Sequence, residues 1–220
     1  MSEASPRRSL LERLYRDYLE HEDTPRFLNL VSQRYANSTL ERLALAGDRN
    51  ERRAAVLALG FLGNYDSNNT LGKALHDSDR VVRMIAENSI REVWFRAGTD
   101  AHRRTLHQVA KMNESRRFKD ALRLATELID AAPGIAEAGN QRAIAYFQLK
   151  KYSLSADDCH QALEINPYHF GAAVGMGHCY LELSDAIGAL ESFRRALRLN
   201  PDMEDVRGQV TFLERQLEES

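Results

Sequence analysis

Residues 170–201 read FGAAVGMGHCYLELSDAIGALESFRRALRLNP, and this stretch decides the fold. Its apolar and small residues recur at spacings of three and four, the period of a helix. Gly177 carries no side chain, so a second helix can come close at that level. Ala189 and Ala196 give the second helix a flat contact side, and Tyr180 and Phe193 fill the gaps beside it. Pro201 cannot continue a helix and ends the unit. The stretch is therefore expected to be a pair of helices folded against each other.

The same spacing extends upstream. Pro133, Pro167 and Pro201 lie 34 residues apart in turn. Before Pro167 stand Ala143, Tyr146, Tyr152, Ser155, Cys159 and Ala162. Before Pro133 stand Phe118, Ala121, Ala125 and Leu128, with Val109 and Met112 where the later units have a small residue and a tyrosine. Ser155 and Cys159 are small, which predicts a looser contact in the middle unit. This order of small, aromatic and proline residues over residues 102–219 resembles the tetratricopeptide repeat family. Beyond Pro201, Val206, Val210, Phe212, Leu213 and Leu217 mark a last helix. Glu214, Glu218 and Glu219 are expected to face water, as the end of such a stack requires.

A second repeat precedes this one. Asn37-Ser38-Thr39-Leu40 is echoed 31 residues on by Asn68-Asn69-Thr70-Leu71, and the same shift takes Asp48 to Asp79, Arg52 to Arg83 and Ala55 to Ala86. Ser38 with Glu41 predicts a capping box. Asp48 and Asp79 are expected to cap second helices, where a carboxylate meets free backbone amides. An Asp at a helix start, an Arg four residues on and then small and apolar residues resembles the HEAT family over residues 37–96, in its short phycobilisome-lyase-like form. That resemblance implies an Asp–Arg ladder between units, with Arg52 to Asp79 as the expected rung.

Upstream again, Ser9 to Glu20 has Leu10, Leu11, Leu14, Tyr15, Tyr18 and Leu19 on one side. Thr24-Pro25 predicts the start of a second helix. Residues 1–36 are thus read as a helical cap, 37–98 as the HEAT-like section and 99–220 as the tetratricopeptide section. Trp94 and Phe95 are expected to close the earlier part, and Ala97-Gly98-Thr99-Asp100 to end one helix and begin another. No Pro- or Ser-rich linker follows, so the sections are expected to stack directly. The fold class is an all-α superhelix of two HEAT-like repeats, three tetratricopeptide units and a capping helix.

Composition narrows the function. The 220 residues are 43% hydrophobic and 28% charged, ordinary for a globular chain. The formal charge of −2 exerts no global pull toward nucleic acid or anionic membrane. No apolar run approaches the ~20 residues that span a bilayer, and Met1 to Leu10 lack the apolar core of a secretory signal. Cys159 and Cys179 make no disulfide framework and suit a cytoplasmic protein. Charge is uneven: residues 80–119 hold ten basic and four acidic side chains. These are read as solvated faces and i,i+4 pairs.

Chemistry is not expected. Cys159-His160 and His178-Cys179 are adjacent pairs that diverge on a helix, so neither forms a metal site. No Gly-flanked nucleophilic serine, HExxH helix or phosphate loop is present. The acidic residues are read as caps and exposed faces. No catalytic residue, cofactor or metal is expected.

The resemblance implies where a partner binds. In tetratricopeptide stacks the first helices of the units line a groove. The matching positions here include Leu106, Asn140, Ile144, Phe147, Gln148, Val174, His178 and Leu181, with Arg103, Ala110, Asn113, Glu137 and Glu182 around them. Members that grip the C-terminal carboxylate of chaperones use Lys, Arg and Asn. The corresponding places hold Leu106, Ala110, Gln141, Gly171 and Gly175, so chaperone-tail binding is not expected. The reading is a scaffold or adaptor that presents the groove to a protein or peptide. The alternative carried by the HEAT resemblance is an enzyme-associated role, bilin lyase-like or DNA-binding.

Overall fold

The computed structural model describes residues 9–219. Residues 1–8, part of the expected cap and of the stretch read for a secretory signal, lie outside the described residues, as does residue 220. The described residues form thirteen α-helices and no strand, the all-α class expected. They divide into two compact units, one that runs up to Val93 and one that begins at Trp94.

The first unit holds α1 (Leu10–His21), α2 (Thr24–Ser32), α3 (Asn37–Ala46), α4 (Arg49–Leu62), a 3-10 turn (Tyr65–Ser67), α5 (Asn68–Ala74) and most of α6 (Arg80–Trp94). Helix α1 begins where the Ser9 hydroxyl accepts the Glu12 amide at 3.3 Å. It buries Leu11 and Tyr15 and packs on α2 and α4. Helix α2 is capped by Asp23, which accepts the Arg26 amide at 3.0 Å. Thr24 is the first helical residue, at the start expected from Thr24-Pro25. The expected Ser38–Glu41 capping box is absent, because the helix starts earlier: Ala36 is the N-cap and Ser38 lies within the first turn, while the Glu41 carboxylate accepts from Ser67 Oγ at 2.8 Å.

Asp48 caps α4 as expected. It accepts the Asn50 and Glu51 amides, both at 2.9 Å, and Glu51 returns a bond to the Asp48 amide at 3.0 Å. Asp79 does the same for α6 through Val81 and Val82. The expected rung from Arg52 to Asp79 is shifted. Arg52 forks onto Asp77 at 2.7 and 2.9 Å, and Arg53 forks onto Asp79 at 3.0 and 2.7 Å. The turn before α6 presents two carboxylates, and adjacent arginines each take one. Helices α4 and α6 meet at Gly60, where a Cβ would collide with Ser89. The Ser89 hydroxyl donates to the Val56 carbonyl at 3.2 Å.

The second unit holds α7 (Asp100–Glu114), α8 (Phe118–Ala131), α9 (Ala136–Gln148), α10 (Tyr152–Ile165), α11 (Phe170–Glu182), α12 (Ala186–Leu199) and α13 (Glu204–Glu218). Thr99 caps α7, the start read from Gly98-Thr99-Asp100. Each helix packs on the next, and α9 also touches both α7 and α11. The 34-residue period reappears in the backbone. Arg116, Lys150 and Ser184, one in each hairpin turn, all have φ near +59°. The next amide in each case reaches back to Met112, Tyr146 or Tyr180 at 2.8–2.9 Å, closing the first helix.

Packing follows the small residues. Gly177 receives Phe193: a Cβ on Gly177 would stand 2.5 Å from the ring. Ala189 and Ala196 are fully buried. The middle unit is not loose at Ser155, whose hydroxyl donates to the Ala143 carbonyl at 2.8 Å and lies 3.1 Å from Cys179 Sγ. Trp94, read as closing the earlier part, stacks within the second unit on His169, with centroids 4.1 Å apart. In α13, Val206, Val210 and Leu213 are buried, but Phe212 is exposed and Glu214 pairs with Arg194 at 2.8 Å. Among the described residues no helix is long and apolar enough to cross a membrane.

Candidate functional site

The first helices of the three hairpins, α7, α9 and α11, are neighbours, so their outward residues share one face. Ile144 on α9 and Leu181 on α11 are 38% and 40% exposed there. Asn140, Val174 and His178 are half-buried, and Gln148 is exposed. Phe147 is half-buried and meets Tyr152 edge-on at 5.3 Å, so it supports the face more than it offers itself. Burial lowers the pKa of His178, whose ring stands edge-on to Phe193. Leu106 is corrected: it is 0% exposed and belongs to the core.

A cleft of about 630 Å³ opens between the end of α7, the following turn and α9. Phe118 and Ile144 are among its apolar walls, and Arg116 and Gln148 are among its polar ones. Asn113 and Gln141 also line it.

Behind this face runs a chain of buried polar groups that periodicity did not reveal. Glu137, expected on the wall, is 4% exposed, and His169 is 1% exposed. The Ala172 amide donates to His169 Nδ1 at 3.0 Å, which leaves Nε2 to donate to Glu137 at 2.8 Å. Glu137 also accepts from Gln141 at 2.7 Å and from Asn140 at 3.2 Å. Gln141 accepts from Asn113 at 3.0 Å. The chain ties all three hairpins together. A second buried link is Arg142 on α9, which forks onto Asp158 of α10 with both bonds at 2.7 Å. The reading of every acidic residue as a cap or an exposed group is therefore corrected at Glu137 and Asp158, each paired with a cation-capable partner elsewhere in the fold.

The cysteines point inward from adjacent helices. The Cys159 thiol hydrogen-bonds Cys179, which lowers the Cys179 pKa to about 7 and raises that of Cys159. His160, the neighbour of Cys159, is exposed and lies 3.7 Å from Glu164. Among the described residues no group of three or more His, Cys, Asp or Glu side chains is arranged to hold a metal ion.

No protein-family model matches the chain. A TPR repeat-containing protein of Rhizobium etli is 30% identical over 130 residues, covering 59% of this chain and 64% of the relative. RNA polymerase II-associated protein 3 of Xenopus tropicalis is 29% identical over 107 residues, 49% of this chain but 16% of that protein. The chain thus spans less than two thirds of each relative. Among solved structures, the first TPR of Spaghetti (RPAP3) bound to HSP90 peptide SRMEEVD superposes with a TM-score of 0.51 at 23% identity. It covers 53% of this chain and 92% of that domain. The Sgt2 TPR domain of Aspergillus fumigatus gives 0.52 at 19% identity, over 56% and 83%. The helical stack is of the tetratricopeptide type.

These similarities overturn the exclusion of a chaperone tail. A solved domain with this fold carries an HSP90 peptide. The exclusion rested on five side chains, of which Leu106 is buried in the core and Gln141 is held by Glu137. Such internally engaged residues do not decide what the face accepts.

Proposed function

We propose that this chain is a non-catalytic adaptor whose α7–α9–α11 face is a groove for a peptide or helical segment of a partner protein. The observation that carries the reading is the exposure of Ile144 and Leu181 on neighbouring first helices, beside the cleft under Ile144. A segment with apolar side chains spaced to meet both would remove them from water. His178 and Gln148 would supply polar contacts at the rim, and Asn140 and Val174 would line the middle. Phe147 would hold the wall from behind. An HSP90-type tail, as carried by the similar RPAP3 domain, is within the class of ligands considered. We place the protein in the cytoplasm, where Cys159 and Cys179 stay reduced.

We read α3–α6 as a pair of HEAT-like repeats that support the adaptor. The 31-residue offset and the Arg52–Asp77 and Arg53–Asp79 bridges favour that reading.

Ile144→Glu combined with Leu181→Glu tests the groove. Proteins captured by the parent chain and identified by mass spectrometry are expected to be lost by the double variant, at an unchanged melting temperature. Retention of every captured protein by a folded double variant overturns the groove.

A further inference from the structure

We infer that the outer side of α13 pairs two copies of this chain, as antiparallel helices related by a two-fold axis at Val210. The inference is independent of the groove reading, since it uses no residue of α7, α9 or α11. Val210 is buried and joins Val206 and Leu213 in the core. At 3.6 residues per turn, Asp205, Gly208, Phe212 and Arg215 all fall on the side of α13 opposite Val210. All four are exposed, Phe212 by 61%. Glycine inside a helix costs stability relative to alanine. Nothing in this chain asks for it at Gly208, where no atom lies within 4 Å of the place a Cβ would take. A side chain missing from an outer surface favours close approach from outside.

The stripe is complementary to itself. In an antiparallel pair centred on Val210, each residue faces the one equally far on the other side of that position. Gly208 and Phe212 stand two residues to either side, so each Phe212 ring lies over Gly208 of the other copy. The chain uses the same contact internally, where the Phe193 ring lies over Gly177. Asp205 and Arg215 stand five residues to either side, so an ion pair closes each end. Among the described residues neither has an ion-pair partner of its own. Each charge also suits its own helix end, but the helix dipole asks nothing of Gly208 or Phe212. A parallel pairing would set Asp205 on Asp205, Arg215 on Arg215 and ring on ring, so the charges select the antiparallel one. Such a contact is the same patch on both copies and closes at two. It runs only about 15 Å along the helix. That is small for a stable interface, so a dissociation constant on the order of 100 µM is expected.

Sedimentation equilibrium of the intact chain tests this. Between about 10 µM and 1 mM the average mass is expected to rise from that of one chain toward that of two. Gly208→Ile blocks the approach and is expected to abolish the rise, with the melting temperature of the dilute protein not lowered, because the space around Gly208 is open. Asp205→Arg alone and Arg215→Asp alone each set like charges together, and each is expected to weaken association at least about tenfold. Mixing these two single variants is expected to restore association between them, and Asp205→Arg with Arg215→Asp in one chain to restore it within a single protein. A mass of one chain at every concentration, association that survives Gly208→Ile, or no recovery on mixing overturns the inference. If the parent stays single and Phe212→Ser loses a captured protein, that protein is the occupant of the stripe and the pairing is wrong. Ile144→Glu with Leu181→Glu lies on other helices and is expected to leave the mass curve unchanged, so the groove and the pairing stand or fall separately.

Discussion

The Phe193 ring occupies the place a side chain at Gly177 would need, with its nearest atom 2.5 Å from where a Cβ would stand. Helices α11 and α12 meet at this point. Gly177→Ala is expected to destabilise the second unit by about 1–3 kcal/mol, because overpacking outweighs the alanine's better helix propensity. Thermal denaturation checks it. A melting temperature equal to or above the parent's would mean that the ring has room to yield.

Asp79 gives a prediction in pH. The hydrogen bonds from Arg53 hold its carboxyl down to about 2, with the Val82 and Val81 amides adding to the effect against a smaller cost of burial. A carboxyl depressed in the folded state contributes its full stability above its unfolded pKa, near 4. That contribution is lost as pH falls through 4 toward 2. The first unit is therefore expected to lose stability over that window, and Asp79→Asn to flatten the loss. Urea melts monitored between pH 5 and pH 2 give the comparison. Parallel curves for parent and variant would show that the Arg53–Asp79 fork plays no part in acid unfolding.

The buried pair Glu137–His169 is expected to be the most sensitive polar site. Glu137→Ala removes the acceptor of three donors at once and strands His169, Gln141 and Asn140. Breaking a buried pair from one side costs about 3–5 kcal/mol. Replacing both partners by apolar residues, as Glu137→Leu with His169→Phe, is expected to cost less, since His169 is then not left alone, but part of the loss stays because Gln141, Asn140 and the Ala172 amide still lack an acceptor. Chemical denaturation of the three proteins tests this, and a double variant as weak as Glu137→Ala would contradict it.

The helices and their spacing were legible because the 34-residue period is written in residues that cannot be replaced freely. Gly177 is needed for contact, Ala189 and Ala196 for flatness, and Pro201 for termination. The backbone repeats the same period at Arg116, Lys150 and Ser184, none of which is a glycine or an asparagine, so no residue type announced the left-handed turns. The polar chain was illegible for another reason. Glu137 and His169 are 32 residues apart, and helical periodicity says which residues share a face, not which side chains meet across faces. Arg52 and Arg53 show the same limit. The offset of 31 found Arg52 and the capping aspartate, but it sets Arg53 against Met84, and Asp77 lies two residues before that cap with no counterpart in the pattern. Leu106 was misplaced because matching position to position ignores how far each helix is turned into its neighbours.

Arg142 offers the last prediction, one that separates charge from shape. Its guanidinium forks onto Asp158 with two bonds of 2.7 Å and sends a third, at 3.4 Å, to Thr126 Oγ1. It therefore joins α8, α9 and α10, and it lies 5.9 Å from the centre of the Tyr146 ring. The hydrogen bonds that it donates to Asp158 raise the Arg142 pKa further, so the charge is constant across all working pH. Lysine keeps that charge but offers a single point in place of a planar fork, and it cannot reach both carboxylate oxygens and Thr126 together. Arg142→Lys is expected to lose about 1.5–3 kcal/mol, the scale of a hydrogen bond to a charged group. If charge alone held the three helices, Arg142→Lys would match the parent in a denaturant melt. If the fork holds them, it falls near Arg142→Met, which keeps the length and loses the charge.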